Sequence, residues 1–242
     1  MATICQITDR VLSTYTPVPP VDDTVCDICH RLLGPQESGR CESCELAASQ
    51  VTSPVTTVAP VSFSRDQYHY VLRDYKNDGH PRQLRFRRVV AATLARFYIG
   101  HEDHLRRAMG DWDTICVVPS TTPGATDVQH PMFSMASLAP RVPNPTPLLI
   151  TSNTPPSHRV ARDDGFRVLP AAAGRAVLLV DDTYTTGATL QSAASALANR
   201  GAQVVGALVL GRYVNPDYAE HLRSWWSKLR NRPFTFDVCC LE

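Results

Sequence analysis

Two groups of residues in this sequence have the types and spacing that chemistry needs. The first is Val177-Leu178-Leu179-Val180-Asp181-Asp182-Thr183-Tyr184-Thr185-Thr186-Gly187-Ala188-Thr189. Its apolar run predicts a buried strand, which puts two adjacent carboxylates at the carboxyl end, where open α/β sheets bind ligands. The turn after them is short, rich in hydroxyls, contains Gly187 and opens into a helix. Backbone N–H groups at a helix start, together with the Thr185, Thr186 and Thr189 hydroxyls, make a cradle for a phosphate monoester. Carboxylates beside that cradle repel the phosphate unless they face something else, and ribose hydroxyls, directly or through Mg²⁺, are the natural partner. The residues therefore describe a ribose-5-phosphate site.

The second group is Cys26-x2-Cys29 and Cys41-x2-Cys44, separated by eleven residues. Each pair can wrap a tight knuckle around a metal, and four thiolates complete a structural zinc tetrahedron with no open position for water. About 25 residues cannot bury a core of their own, so the metal supplies folding energy. Two disulfides or free thiols are the competing reading, and a reducing setting disfavours the former. His30 reads as a neighbour of the cluster and not a ligand. The other cysteines, Cys5, Cys116, Cys239 and Cys240, are scattered.

The elements that must position these groups follow from periodicity. Ala176–Val180 and Val204–Leu210 read as buried strands joined by a helix over Thr189–Arg200, a βαβ unit of a parallel sheet. Further expectations are a helix over Pro81–Ile99, with Phe86, Val90, Leu94 and Phe97 on one face, and a strand over Thr114–Val118. A short helix near Met132–Leu138 and a short strand at Leu148–Thr151 interrupt a loop region holding nine of the 19 prolines. A helix over Pro216–Leu229 and a last strand near Phe234–Cys240 complete the chain. Residues 1–21 are expected as a flexible tail, 22–46 as the zinc ribbon, 47–64 as an uncharged linker whose valines can add an edge strand, and 65–242 as the main domain.

Composition narrows the function classes. In 242 residues, 43% are hydrophobic and 19% charged, and the net charge is +1. That balance argues against coating nucleic acid or an anionic membrane through bulk charge. Only Lys76 and Lys228 among the 24 basic residues are lysines. No apolar run reaches the ~20 residues of a membrane span, and no basic-then-apolar start suggests a secretory signal. The chain reads as soluble and cytoplasmic.

The Asp181–Thr189 segment resembles the phosphoribosyl pyrophosphate (PRPP) signature of type I phosphoribosyltransferases. The resemblance implies that Asp181 and Asp182 hold the ribose hydroxyls and that Thr183, Thr185, Thr186, Gly187, Ala188 and Thr189 hold the 5′-phosphate. A four-cysteine ribbon, a linker and such a domain are together similar to the ComF-like proteins, a family linked to competence and DNA uptake. Tyr70-Val71-Leu72-Arg73-Asp74-Tyr75-Lys76 and Arg162-Asp163-Asp164-Gly165-Phe166 add to that likeness. The sequence departs from the family after Val117-Val118-Pro119. An Arg-rich Gly-Phe-Asn stretch is replaced there by Ser120-Thr121-Thr122-Pro123-Gly124, in a loop expected to lie by the pyrophosphate.

The resulting expectation is an α/β fold of the type I phosphoribosyltransferase kind, a mostly parallel twisted sheet flanked by helices, with a small N-terminal zinc ribbon. The implied reaction moves ribose-5-phosphate from PRPP, with Mg²⁺, to a nucleophile such as a nitrogen base and releases pyrophosphate. Ser120, Thr121 and Lys76 are the candidates for the pyrophosphate side, Lys76 against the plainer reading of a solvated lysine. The alternative is a non-catalytic PRPP- or nucleotide-binding accessory protein, its ribbon contacting DNA or a competence protein. Among lesser features, Arg159, Arg162 and Arg175 are candidate phosphate caps. His101 and His104 can share a metal if helical, and Trp225 and Trp226 cannot both face one core from a helix.

Overall fold

The computed structural model describes residues 2–65 and 67–242. In chain order its elements are α1 (Ile4–Asp9), α2 (Glu42–Ser49), β1 (Val58–Ser64), α3 (Gln67–Asp74), α4 (Gln83–Met109), β2 (Thr114–Val117) and α5 (Pro131–Leu138). They are followed by β3 (Leu149–Thr151), β4 (Phe166–Val168), β5 (Ala176–Tyr184), α6 (Ala188–Ala198), β6 (Gln203–Tyr213) and α7 (Glu220–Leu229). Four strands form one parallel sheet in the order β1-β6-β5-β2, and β3 pairs antiparallel with β4 as a separate hairpin.

Strand alternation divides the interior into two cores. Leu178, Val180, Leu208 and Leu210 join Leu94, Phe97 and Tyr68 on one face. Val177, Leu179, Ala207 and Val209 join Leu190, Leu197 and the four ribbon cysteines on the other. Both faces are covered, as parallel sheets require, which is why these strands read as unbroken apolar runs. Gly211 of β6 lets α3 approach closely, since a Cβ there would fall within about 2.3 Å of Leu72 Cδ1.

Three segments differ from the sequence reading. Of the expected tail 1–21, residues 2–21 are docked onto the domain. Helix α1 is closed by a Thr3/Gln6 capping box, Arg96 donates to Thr8 Oγ1 (2.7 Å), and buried Tyr15 shares a 2.6 Å hydrogen bond with Thr93. Thr16 O accepts from Phe63 N–H (3.0 Å), which covers the free edge of β1. A six-residue helix is too short to show a period, so the signal was absent.

The uncharged stretch 47–64 is a strap and a strand in place of a loose linker. Val55 N–H donates to Gln191 Oε1 and Gln191 Nε2 donates back to Val55 O, both at 2.8 Å. Ser53 N–H reaches Ser195 Oγ (3.1 Å) and Thr52 N–H reaches Asp163 Oδ1 (3.0 Å). All seven residues of β1 are buried. Missing charge here marks burial, not mobility.

The expected last strand at Phe234–Cys240 is a series of turns. The β1 edge is already occupied by Thr16, and Phe234 and Phe236 instead pack on Tyr15 with ring centroids 4.9 and 5.4 Å away. Helix α4 also runs past Ile99, because Leu105 continues its buried stripe and Gly110, at φ 95°, ends it. Against the sequence expectation, Trp225 and Trp226 both meet Phe63 edge-on, at 5.4 and 6.4 Å, because Trp226 enters the core and Trp225 packs at its margin.

A fragment starting at Arg65 lacks β1 and Tyr15 and should not fold. Dispersed amide resonances from that fragment would contradict this packing, whereas the full chain should resist proteolysis across residues 50–64.

Candidate functional site

Strand β5 runs past its apolar core, so Asp181, Thr183 and Tyr184 still pair with Val209, Gly211 and Arg212 of β6. The two acids are therefore held by a ladder and not by a loop, on opposite faces. Asp182 is buried at 2% exposure. Lys76 Nζ lies 2.6 Å from its Oδ2, the Tyr75 hydroxyl donates to the same oxygen, and His130 Nε2 is 3.7 Å away. Burial opposes its charge, but Lys76 and then His130 hold its carboxyl below the usual range. Asp181 is half-buried and accepts the Asp182 N–H at 2.7 Å. Burial, then the neighbouring Asp182 charge, raises its pKa to about 8. Near neutrality the pair holds one proton, on Asp181. His130 is pushed down to about 4 by burial and stays neutral.

Gly187 is the N-cap of α6 at φ 89°, a conformation that side chains rarely adopt. Residues Thr183–Leu190 wrap a cavity of about 110 Å³ with Asp181 and His158 on its wall. The Thr186 hydroxyl donates to His158 O, which ties this loop to the segment between β3 and β4. A second, open cavity of about 500 Å³ shares Asp181, Thr183 and Thr189 with the first. Its wall continues through Asp182, Lys76, Ser120, Thr121, Gln129 and His130. The acid pair thus sits between a phosphate-sized cradle and a roomier cleft.

The sequence candidates divide accordingly. Asp181 and Thr183–Thr189 line one cavity, whereas Asp182, expected beside Asp181 on the ribose, lies on the opposite face of β5, buried against Lys76 and Tyr75. Ser120 and Thr121 lie exposed on the far wall of the cleft, with Ser120 O accepting the Thr151 hydroxyl (2.6 Å). Lys76 reaches the site, but it neutralises Asp182. Arg162 pairs with Asp164 (3.0 Å), and Arg175 pairs with Asp113 (3.0 Å) at the opposite end of β5. Of these three arginines, only Arg159 borders the loop 183–189, beside Thr186. His101, His104 and Glu242 do cluster, with His101 Nε2 held by Phe236 O (2.8 Å).

Tyr75 and His130 were missed as site residues. The available signal for His130 was Pro131 at the first helical position, which makes His130 the N-cap of α5; its Nδ1 accepts the Met132 N–H at 3.3 Å.

The four ribbon sulfurs lie within 4.8 Å of one another, and all four cysteines are buried and unoxidised. Cys29 Sγ and Cys41 Sγ are 3.7 Å apart, close to the ~3.8 Å edge of a tetrahedron with ~2.3 Å zinc–sulfur bonds. Zinc with four thiolates carries a double negative charge, and two arginines answer it. Arg31 touches Cys41, and buried Arg212, despite its desolvation, is kept charged by Cys29, Cys44 and Cys41. The donor set fits zinc. His30 is not a ligand, as expected: its ring nitrogens face Pro19 O (2.9 Å) and Val58 O (3.2 Å).

Residues 134–242 match the family model described as "Phosphoribosyl transferase domain". The match takes in the acid pair and the loop 183–189 and spans a little under half of the chain, leaving Lys76, Ser120, His130 and the four ribbon cysteines outside it. No curated protein matches the chain. Among solved structures, the orotate phosphoribosyltransferase of Mycobacterium tuberculosis H37Rv, in complex with inorganic phosphate, is similar at 21% identity. That likeness covers 76% of this chain and 90% of that chain, with a TM-score of 0.31, too loose an overlap to bear on the site. Among the described residues no helix is long and apolar enough to cross a membrane.

Asp181 carries a stability cost with a definite pH signature. The folded chain keeps its proton up to about pH 8, whereas an unfolded carboxylate releases it near 3.8. Stability is therefore lost as pH rises through that window. Asp181→Asn should match the wild type in Tm near pH 4 and exceed it by a few degrees at pH 8–9. A difference independent of pH, measured by calorimetry, would contradict the assignment.

Proposed function

We propose that this protein transfers phosphoribosyl groups, taking ribose-5-phosphate from PRPP to a nucleophile and releasing pyrophosphate. The observation that carries the reading is the continuous cleft in which the Gly187 cradle, the acid pair and the Ser120 loop follow one another in the order of 5′-phosphate, ribose and pyrophosphate. The matched domain over residues 134–242 supports it.

In this reading the amides at the start of α6 and the Thr185, Thr186 and Thr189 hydroxyls hold the 5′-phosphate. Asp181 faces the ribose hydroxyls. Asp182, neutralised by Lys76 and held by Tyr75, fixes the end of β5 and so positions Asp181, while the ribose ring gains positive charge as the bond from C1 to pyrophosphate breaks. The new bond forms between C1 and the nucleophile, most simply a nitrogen base. Mg²⁺ bound with PRPP would neutralise pyrophosphate charge, and Asp181, once ionised, is the carboxylate placed to hold it or its waters. Zinc, held by Cys26, Cys29, Cys41 and Cys44, has a structural role.

One observation favours the second reading, a PRPP- or nucleotide-binding accessory protein without turnover. Among the described residues, Lys76 is the one cationic side chain on the wall of the wide cleft, and it is committed to Asp182. DNA contact through the ribbon has less support. Its basic residues are engaged, Arg31 by Glu37 at 2.7 Å and Arg40 by Asp27 at 3.4 Å, and the cysteines face α6.

Phosphorus NMR of the protein with PRPP, Mg²⁺ and a panel of bases separates the readings. Pyrophosphate release with one base is the expected result; tight PRPP binding with no base reacting would establish the accessory role. Charged hydrogen bonds contribute ~1.5–3 kcal/mol, so above about pH 8, where Asp181 is ionised, Asp181→Asn should weaken ribose 5-phosphate binding roughly tenfold or more by calorimetry. Unaltered affinity would remove Asp181 from the site.

Elemental analysis of reduced protein should give about one zinc per chain. Cys41→Ser should lose the zinc and expose residues 22–57 to protease. Wild-type protein free of zinc would overturn the metal assignment.

A further inference from the structure

Tyr184 belongs to the loop that wraps the smaller cavity, yet its side chain turns away toward the four-cysteine ribbon. It is 2% exposed. Its hydroxyl is 3.2 Å from Cys44 Sγ. On its other side it supports the turn of the phosphate loop: a Cβ built on Gly187 would overlap the Tyr184 hydroxyl and come within about 2.7 Å of Cζ. The left-handed Gly187 that starts α6 therefore rests directly on the phenol. Arg212 stacks over the same ring at 5.3 Å and points Nη1 at Tyr184 O (3.4 Å). One buried side chain thus touches a metal-ligating sulfur, the arginine that balances the sulfurs, and the backbone that opens the phosphate cradle.

We infer that Tyr184 is a positioning residue that makes the four-cysteine metal site a brace for the phosphate loop, so that metal loading and 5′-phosphate affinity are thermodynamically coupled. A bound metal fixes Cys44, and a fixed thiolate accepts the Tyr184 hydroxyl in one geometry. That geometry sets the height of Gly187 and the aim of the first amides of α6. Loss of the metal frees Cys44, releases the phenol and lets the cradle open. Coupling of this kind is reciprocal: a phosphate ester that orders the loop tightens the metal site by the same factor. The ligand half of the inference rests on the ribose-phosphate reading above, while the brace itself does not.

The test uses full-length protein and Tyr184→Phe, which keeps the ring beneath Gly187 and Arg212 and removes only the hydroxyl. Zinc affinity is read by competition with a chelator, with and without saturating ribose 5-phosphate. In the wild type the sugar phosphate should tighten zinc roughly fivefold or more. In Tyr184→Phe, with one zinc still bound, that factor should fall to near one. An equal factor in both proteins, or a factor of one in wild type that binds the sugar phosphate, would overturn the coupling. Hydrogen exchange at amides 183–189 provides a readout without ligand. It should be faster in zinc-loaded Tyr184→Phe than in zinc-loaded wild type, and unchanged exchange overturns the brace. Should neither ribose 5-phosphate nor PRPP bind the wild type, the ribose-phosphate reading fails, and faster exchange in the variant would still uphold the brace.

Discussion

A β-strand sends successive side chains to opposite faces, and β5 carries that alternation two residues beyond its apolar run. Val180 points into the core with Leu94, so Asp182 follows it to the same side, where Tyr75 and Lys76 meet it. Asp181 follows Leu179 to the other side, toward the start of α6 and the cleft. A single backbone constraint thus gives two adjacent, chemically identical acids different environments. One is a buried, paired anion, and the other is a half-buried acid that keeps its proton to about pH 8. Burying Asp182 without Lys76 would leave an uncompensated charge in the interior, which is strongly unfavourable. The end of α3 is therefore fixed to β5, and one wall of the cleft with it.

The other face of the sheet has a different solution to the same covering problem. Helix α6 alone does not fill it, and the ribbon and its strap complete the layer, with the four cysteines among the apolar residues. Gln191 and Ser195 of α6 hold the strap through its backbone. The four-cysteine ribbon is part of the second core and not an appended module, and the loop 183–189 lies where ribbon, α6 and β5 meet.

Much of this was legible in the sequence because the relevant signals are local. The apolar runs of β5 and β6, the acid pair and Gly187 all fall within some forty residues, and parallel strands buried on both faces declare themselves. The cysteine spacing was equally direct. What escaped depended on contacts far apart in the chain. Tyr15 finds Thr93, the strap finds α6, and Tyr75 and His130 find Asp182 only once the sheet exists. A lysine near the site was legible, but its role was not: Lys76 pairs with a carboxylate whose burial no local pattern signals. The uncharged stretch before Arg65 read as a linker because missing charge is shared by disordered and fully buried segments, and only the packing distinguishes them.

The central claim is that the turn from β5 into α6 receives a sugar 5′-phosphate. Amide chemical-shift mapping during titration with ribose 5-phosphate tests it most directly, because the amides themselves are the proposed ligands. The largest shifts should fall on Thr185, Thr186, Gly187, Ala188 and Thr189, with smaller ones at Asp181 and Asp182. A saturable titration whose largest shifts lie elsewhere, leaving residues 185–189 unmoved, would contradict the account.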